Sequence, residues 1–238
     1  MTSIHISTRS SRAFRELTFQ VTTRTTASVP VGRTLAAVHA LLWSDYLCPW
    51  CYLARDRTAL LESMGVRVTH LPYELHPDIP PDGVAIRAGG RLDRVLDLIG
   101  AECAEVGLPF AKPTHTPNTR RVLELAEVVR RTQPDAFTAL DDGLFEARWV
   151  DGRDLADPDV VEGVARRAGV DVATALELVA DGHGAVALDE SMAEARKRGV
   201  TATPAWWVDD ALLIPGAVDR DSMVRWISKM AARREASD

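Results

Sequence analysis

Cys48 and Cys51 bracket Pro49 and Trp50 in a Cys-x-x-Cys array. On the first turn of a helix, cysteines three positions apart have Cα atoms within the roughly 4.4–6.8 Å that a disulfide spans, so the pair can open and close with little backbone motion. Pro49 is well suited to the first helical position, where its missing N–H leaves no bond unmade. Cys48 then stands among unpaired amide N–H groups at the positive end of the helix dipole, an environment that stabilises a thiolate. Its pKa is expected to fall, making Cys48 the nucleophile and a good leaving group, with Cys51 as the resolving thiol. The competing chemistry for this spacing is half of a zinc knuckle, which needs two further ligands. The sequence has no second Cys-x-x-Cys. Cys103 falls on an apolar helical stripe with Leu96, Ile99 and Val106, the pattern of a buried core thiol, so no metal site is expected.

The elements around the pair follow from hydrophobic periodicity. Leu35 to Ser44 is mostly apolar and free of Gly and Pro, as in a strand covered on both faces. After Cys51, the residues Leu53, Leu60, Leu61 and Met64 recur at helical spacing, and Gly65 supplies a stop. Val66 to Leu75 alternates in part and reads as a second strand, ending at His76-Pro77 and a Pro80-Pro81-Asp82-Gly83 turn. From Arg87 to Gly199 the chain reads as a bundle of short helices with breaks that include Pro134, Gly152 and Pro158. Pro204 to Val208 and Leu212 to Ile214 read as a hairpin around Asp209-Asp210, although that pair lacks the Gly of the commonest tight turn. A last helix starts at Asp219 or Asp221, with Met223, Val224, Ile227 and Met230 on one face. The fold class is therefore α/β: a thioredoxin-type core over 34–86 and 200–238, with an all-helical insertion over 87–199 forming a wall beside the cysteines.

Composition narrows the function classes. Hydrophobic residues at 46% and charged residues at 26% suit a globular protein with a full core. A formal charge of −6 argues against nucleic acid as a partner, because counterion release needs a basic face. No run reaches the roughly 18 consecutive apolar residues of a membrane span. Residues 1–33 are rich in Ser, Thr and Arg and contain no apolar core of a secretory signal. Their composition fits a disordered arm, a transit peptide or a start codon placed too early, and no function is assigned to them. With three cysteines, a disulfide-stapled secreted scaffold is excluded. A cytoplasmic protein, monomeric or homodimeric, is expected.

Asp45-Tyr46-Leu47-Cys48-Pro49-Trp50-Cys51-Tyr52 resembles the active-site segment of the DsbA family, in its FrnE-like branch. Tyr73 to Asp78, Pro117 to Arg121, Leu144 to Ala147, Gly152 to Asp154 and Gly199 to Pro204 resemble the same branch in the same order. The resemblance spans Ala36 to Met230. It implies a thioredoxin fold with an inserted helical domain, a nucleophilic Cys48, a resolving Cys51 and a cis Pro204 facing the pair. It further implies that Thr203 presents its backbone to a bound peptide or thiol, and that Asn118 lies near the cleft as a substrate contact; a helix N-cap is the alternative role for Asn118. Ala54 departs from the pattern, since many relatives carry Gly there.

Among the remaining candidates, Pro49 and Trp50 between the sulfurs are expected to meet substrate, Trp50 as an apolar lip. Trp206 and Trp207 should divide between core and groove. His76 and His115, in Pro-rich loops, read as surface residues, and Arg130-Arg131, Arg166-Arg167 and Arg196 to Arg198 as solvated helix ends. Dithiol–disulfide exchange on a protein or small-molecule thiol substrate is the leading expectation, with no cofactor required. The same fold includes 2-hydroxychromene-2-carboxylate isomerases and kappa-class glutathione transferases, which commonly place Ser where this chain has Cys48. A glutathione- or mycothiol-dependent isomerase or transferase acting on a small aromatic or polyketide-like metabolite is therefore the second expectation. A chaperone that has lost catalysis is the third, against which the intact cysteine pair argues.

Overall fold

A computed structural model describes residues 38–235; the N-terminal arm expected over 1–33 lies outside the described residues. Strand β1 (His39–Ser44) runs down the middle of the sheet, and the apolar run that predicts it buries Ala40, Leu42 and Trp43 on two faces. It leads through helix α1 (Pro49–Ser63) to strand β2 (Arg67–Pro72), which pairs with it in parallel, Leu42 opposite His70. Gly65, at φ 89°, takes the left-handed conformation that closes α1.

The expected strand over Val66 to Leu75 ends early, at Pro72. The Tyr73 N–H still donates to the Ser44 carbonyl at 2.9 Å, but the Leu75 N–H turns away to the Asp45 carboxylate, which takes the chain off the ladder.

Between the two halves of the sheet come β3 (Val84–Ala85), α2 (Arg91–Glu105), β4 (His115–Thr116), α3 (Arg120–Thr132), α4 (Pro134–Trp149), α5 (Pro158–Arg167), α6 (Val172–Ala180) and α7 (His183–Lys197). The pairing of β3 with β4 is a short ribbon that helical periodicity could not announce. Gly83 makes it possible, because a Cβ there would stand 2.2 Å from the His115 ring and 2.5 Å from the Thr116 carbonyl. His115 is accordingly half-buried rather than a free surface residue, with Nδ1 3.3 Å from Asp154.

The chain returns as β5 (Ala205–Val208) and β6 (Leu212–Pro215), antiparallel to β1 and to each other, for a sheet order β2-β1-β5-β6. Asp209 and Asp210 both take positive φ, 50° and 53°, so the pair makes the tight turn without glycine; short polar side chains tolerate that conformation. Helix α8 (Arg220–Glu235) closes the fold, and of its two cap candidates Asp219 is the one that accepts the Ser222 N–H, at 2.8 Å. Met223 and Ile227 bury against one face of the sheet with Trp206, while Ala195 of α7 and Val200 pack with Trp43 on the other. The architecture is a thioredoxin fold with helices inserted between its βαβ and ββα halves.

One charged cluster departs from expectation. Arg130 and Arg131 are not simple solvated helix ends: their Nε atoms each lie 2.7 Å from the carboxylate of Glu127, whose side chain has no exposed surface. A carboxylate that far from water is tolerable only with cationic partners, and two successive arginines supply them.

Candidate active site

Cys48 occupies the N-cap of α1, with extended backbone (φ −83°, ψ 113°) and Pro49 immediately after it. Its carbonyl accepts the N–H groups of Cys51 at 3.0 Å and Tyr52 at 3.3 Å, so the first turn closes directly beneath the sulfur. No acidic residue stands in that first turn to oppose a thiolate. The Cys48 thiol lies 3.5 Å from the carbonyl oxygen of Thr203 on the chain entering β5. The Thr203–Pro204 peptide is cis, and the Pro204 carbonyl is held by the Gly216 N–H at 2.7 Å. The Thr203 hydroxyl is buried with no hydrogen-bond partner among the described residues.

The two thiols, both reduced here, are driven in opposite directions. A hydrogen bond from the Cys51 thiol, against the cost of burial, brings Cys48 below its ordinary value of 9.0. Burial first, and then the neighbouring Cys48 sulfur, push Cys51 well above it. Cys103 lies in the same core, has no exposed surface, and is pushed by burial to about 11, as befits an inert packing thiol.

The loop before Cys48 is fixed by residues that sequence reasoning gave no role. Asp45 is fully buried; its carboxylate accepts the Thr119 hydroxyl at 2.7 Å and the N–H groups of Leu75 at 2.9 Å and Leu47 at 3.2 Å, while its carbonyl accepts the Cys48 N–H at 3.1 Å. Burial raises its pKa to about 6, and those three hydrogen bonds hold it from rising further. Tyr46 donates its hydroxyl to Asp141 at 2.9 Å, and its carbonyl accepts the Trp149 indole N–H at 2.9 Å, both from α4. On its other side Asp141 faces His70 Nδ1 at 3.4 Å. Phe145 lies under the Tyr46 ring at a centroid distance of 4.9 Å, and Trp149 stacks on Tyr52 at 6.2 Å. The active-site loop is thus clamped by α3 and α4. The one local signal was Asp45 itself, an acid set between an apolar strand and the cysteines; its partners lie too far along the chain for any pattern to name.

The structure brings Cys48, Cys51 and Thr203 into one contact cluster, with Pro49 buried and Trp50 half-buried beside them. Asn118 does not join that cluster through its amide. Its Nδ2 donates to the Ile79 carbonyl at 2.6 Å and its Oδ1 accepts the Arg120 N–H at 3.0 Å, so it fastens the Pro-rich loop to the start of α3. Trp206 is fully buried, whereas Trp207 is half-buried under the Arg198 guanidinium, so the two divide between core and surface. Among the described residues no group of three or more His, Cys, Asp or Glu is arranged to hold a metal ion, and no helix is long and apolar enough to cross a membrane.

Solved structures share this fold. A probable DsbA oxidoreductase from Streptomyces coelicolor superposes with a TM-score of 0.71 at 25% identity, over 81% of this chain and 89% of its own. A 2-hydroxychromene-2-carboxylate isomerase superposes at 0.66 with 20% identity, over 84% and 98%. The cytosolic disulfide reductase DsbM from Pseudomonas aeruginosa, solved with GSH, superposes at 0.59 with 17% identity, over 84% and 98%. No curated protein sequence matches the chain significantly. The family match itself runs over residues 41–228, from β1 through the inserted helices into α8. A sheet, a cysteine-bearing helix and an insertion in that order, matched nearly end to end, mean that the chain belongs to the DSBA-like thioredoxin domain family.

Proposed function

We propose that this protein is a thiol–disulfide oxidoreductase working through Cys48 and Cys51. The observation that carries the reading is the opposite displacement of the two thiols on one helical turn, Cys48 toward thiolate and Cys51 toward thiol. In the reducing direction, the Cys48 thiolate attacks one sulfur of a substrate disulfide. A mixed disulfide forms, and the other substrate sulfur leaves as a thiolate that takes up a proton. Cys51 then loses its proton and attacks the Cys48 sulfur, releasing the second substrate thiolate. The substrate has gained two electrons, and Cys48–Cys51 is the oxidised product. The oxidising direction is the reverse, started by a substrate thiolate on Cys48.

Pro49, Trp50 and Thr203 are the proposed substrate contacts. Thr203 meets the pair through its main chain, and its carbonyl is released when the Cys48 proton leaves. Asn118 acts in this reading by holding the loop at Ile79 in place, since its amide is already committed. Glutathione or mycothiol is the proposed low-molecular-weight thiol partner, in a cytoplasmic setting where few structural disulfides are expected. No metal or other cofactor takes part in the exchange.

Equilibration in glutathione redox buffers, followed by tryptophan fluorescence and thiol alkylation, tests the proposal. It predicts a reversible two-electron transition that Cys48→Ser abolishes. A chain with no such transition, whose activity requires added glutathione and survives Cys51→Ser, would instead be a thiol-dependent isomerase or transferase.

A further inference from the structure

The helices α3, α5 and α6 enclose a cavity of about 220 Å³ whose walls include Val122, Leu125, Leu155, Val161, Leu176 and Val179. Four of these, Val122, Leu125, Leu155 and Val161, are almost wholly buried side chains of the main core. A dry apolar cavity of about 150 Å³ is large enough for benzene. The present one has room for a ring or short alkyl chain together with a small head group.

Charge at the lining decides which head group. Glu162, the one acid on it, is paired with Arg166 at 2.5 Å. Asn118, also on the lining, has its amide bonded to the Ile79 carbonyl and the Arg120 N–H. Arg121 is the one cation there, and among the described residues it has no carboxylate partner. An apolar pocket with a single uncommitted guanidinium selects an anion with an apolar body, because the fork of N–H donors matches a carboxylate and nothing else on the lining competes for it.

We propose that this cavity binds a small apolar monocarboxylate, an aryl-alkanoic or medium-chain acid, with its body between α3, α5 and α6 and its carboxylate on Arg121. This site uses neither cysteine, so the inserted helices carry a ligand function of their own.

Titration of the full chain with phenylacetate and with the neutral 2-phenylethanol, by calorimetry or ligand-observed NMR, tests it. Phenylacetate should bind one to one and about tenfold more tightly than the alcohol, the factor a charge-assisted hydrogen bond supplies. Arg121→Gln, at an exposed position, should erase that preference, and Leu176→Trp should block both probes with thermal unfolding checked in each variant. Absence of saturable binding, or a preference for the acid that persists in Arg121→Gln, would overturn the proposal.

Discussion

Asp45 and Thr119 meet at 2.7 Å although 74 positions separate them, the carboxylate of the active-site loop accepting the hydroxyl that precedes α3. The contact joins the cysteine loop to the inserted helices through a charge-assisted bond shielded from water. Thr119→Val keeps the shape and removes the donor. It should cost about 1–3 kcal/mol in urea unfolding, and Thr119→Ser should restore most of it. An unchanged midpoint in the valine variant would show that the bond contributes nothing.

The acid itself makes stability depend on pH. Its folded-state pKa of about 6 lies above the ordinary 3.8, so between those values the folded chain keeps a proton that the unfolded chain has lost. Stability attributable to Asp45 therefore rises as pH falls through about 6, and levels off below about 4. Relative to Asp45→Asn, the wild type should gain about 2 kcal/mol between pH 7 and pH 4 in denaturant titrations. A difference that stays flat across that range would contradict the assignment.

Cys48 owes its lowered pKa first to the Cys51 thiol. Replacing Cys51 by Ala removes that donor, whereas Ser keeps a hydroxyl in its place. Thiolate absorbance against pH should place the Cys48 transition highest in Cys51→Ala and lower in Cys51→Ser. Equal transitions in the two variants would mean that the helix terminus, not the partner thiol, sets the value.

His70 reports on the clamp below the loop. Burial pushes its pKa down, and the Asp141 carboxylate more than reverses this, leaving it above 6.5. The pair therefore stabilises the fold fully below that ordinary value, and the contribution is lost as pH rises through the higher folded-state one. In Asp141→Asn, burial acts with its principal opponent gone, and the His70 titration followed by NMR should fall below 6.5. A midpoint that stays raised would assign the effect to the more distant Glu62 and Asp142.

The parts of this molecule that were legible in the sequence are those whose causes are local. Pro49 starts α1, Gly65 stops it, and β1 buries on two faces because Ala40 to Trp43 is an unbroken apolar run. The Asp209-Asp210 turn was legible for the same reason. What stayed hidden is cooperation across long stretches of chain. Asp45 finds Thr119 and Leu75, Tyr46 finds Asp141, and Arg131 reaches back to Glu127 at i−4 and on to Glu190 at 2.8 Å. Periodicity placed those residues on helices and loops without saying which charge would be sealed from water. The β3–β4 ribbon escaped notice too, because two strands of two residues leave no alternation to read.

Across the cleft, Cys48 faces a main-chain oxygen, the carbonyl of Thr203. Every amino acid carries that oxygen, so replacement at position 203 leaves the acceptor where it is while altering the hydroxyl beside it. The two features are separable by mutation: the sulfur's acceptor belongs to the main chain, and only the hydroxyl beside it depends on the side chain. A substitution at position 203 therefore changes the side chain beside the Cys48 sulfur and leaves its main-chain contact in place.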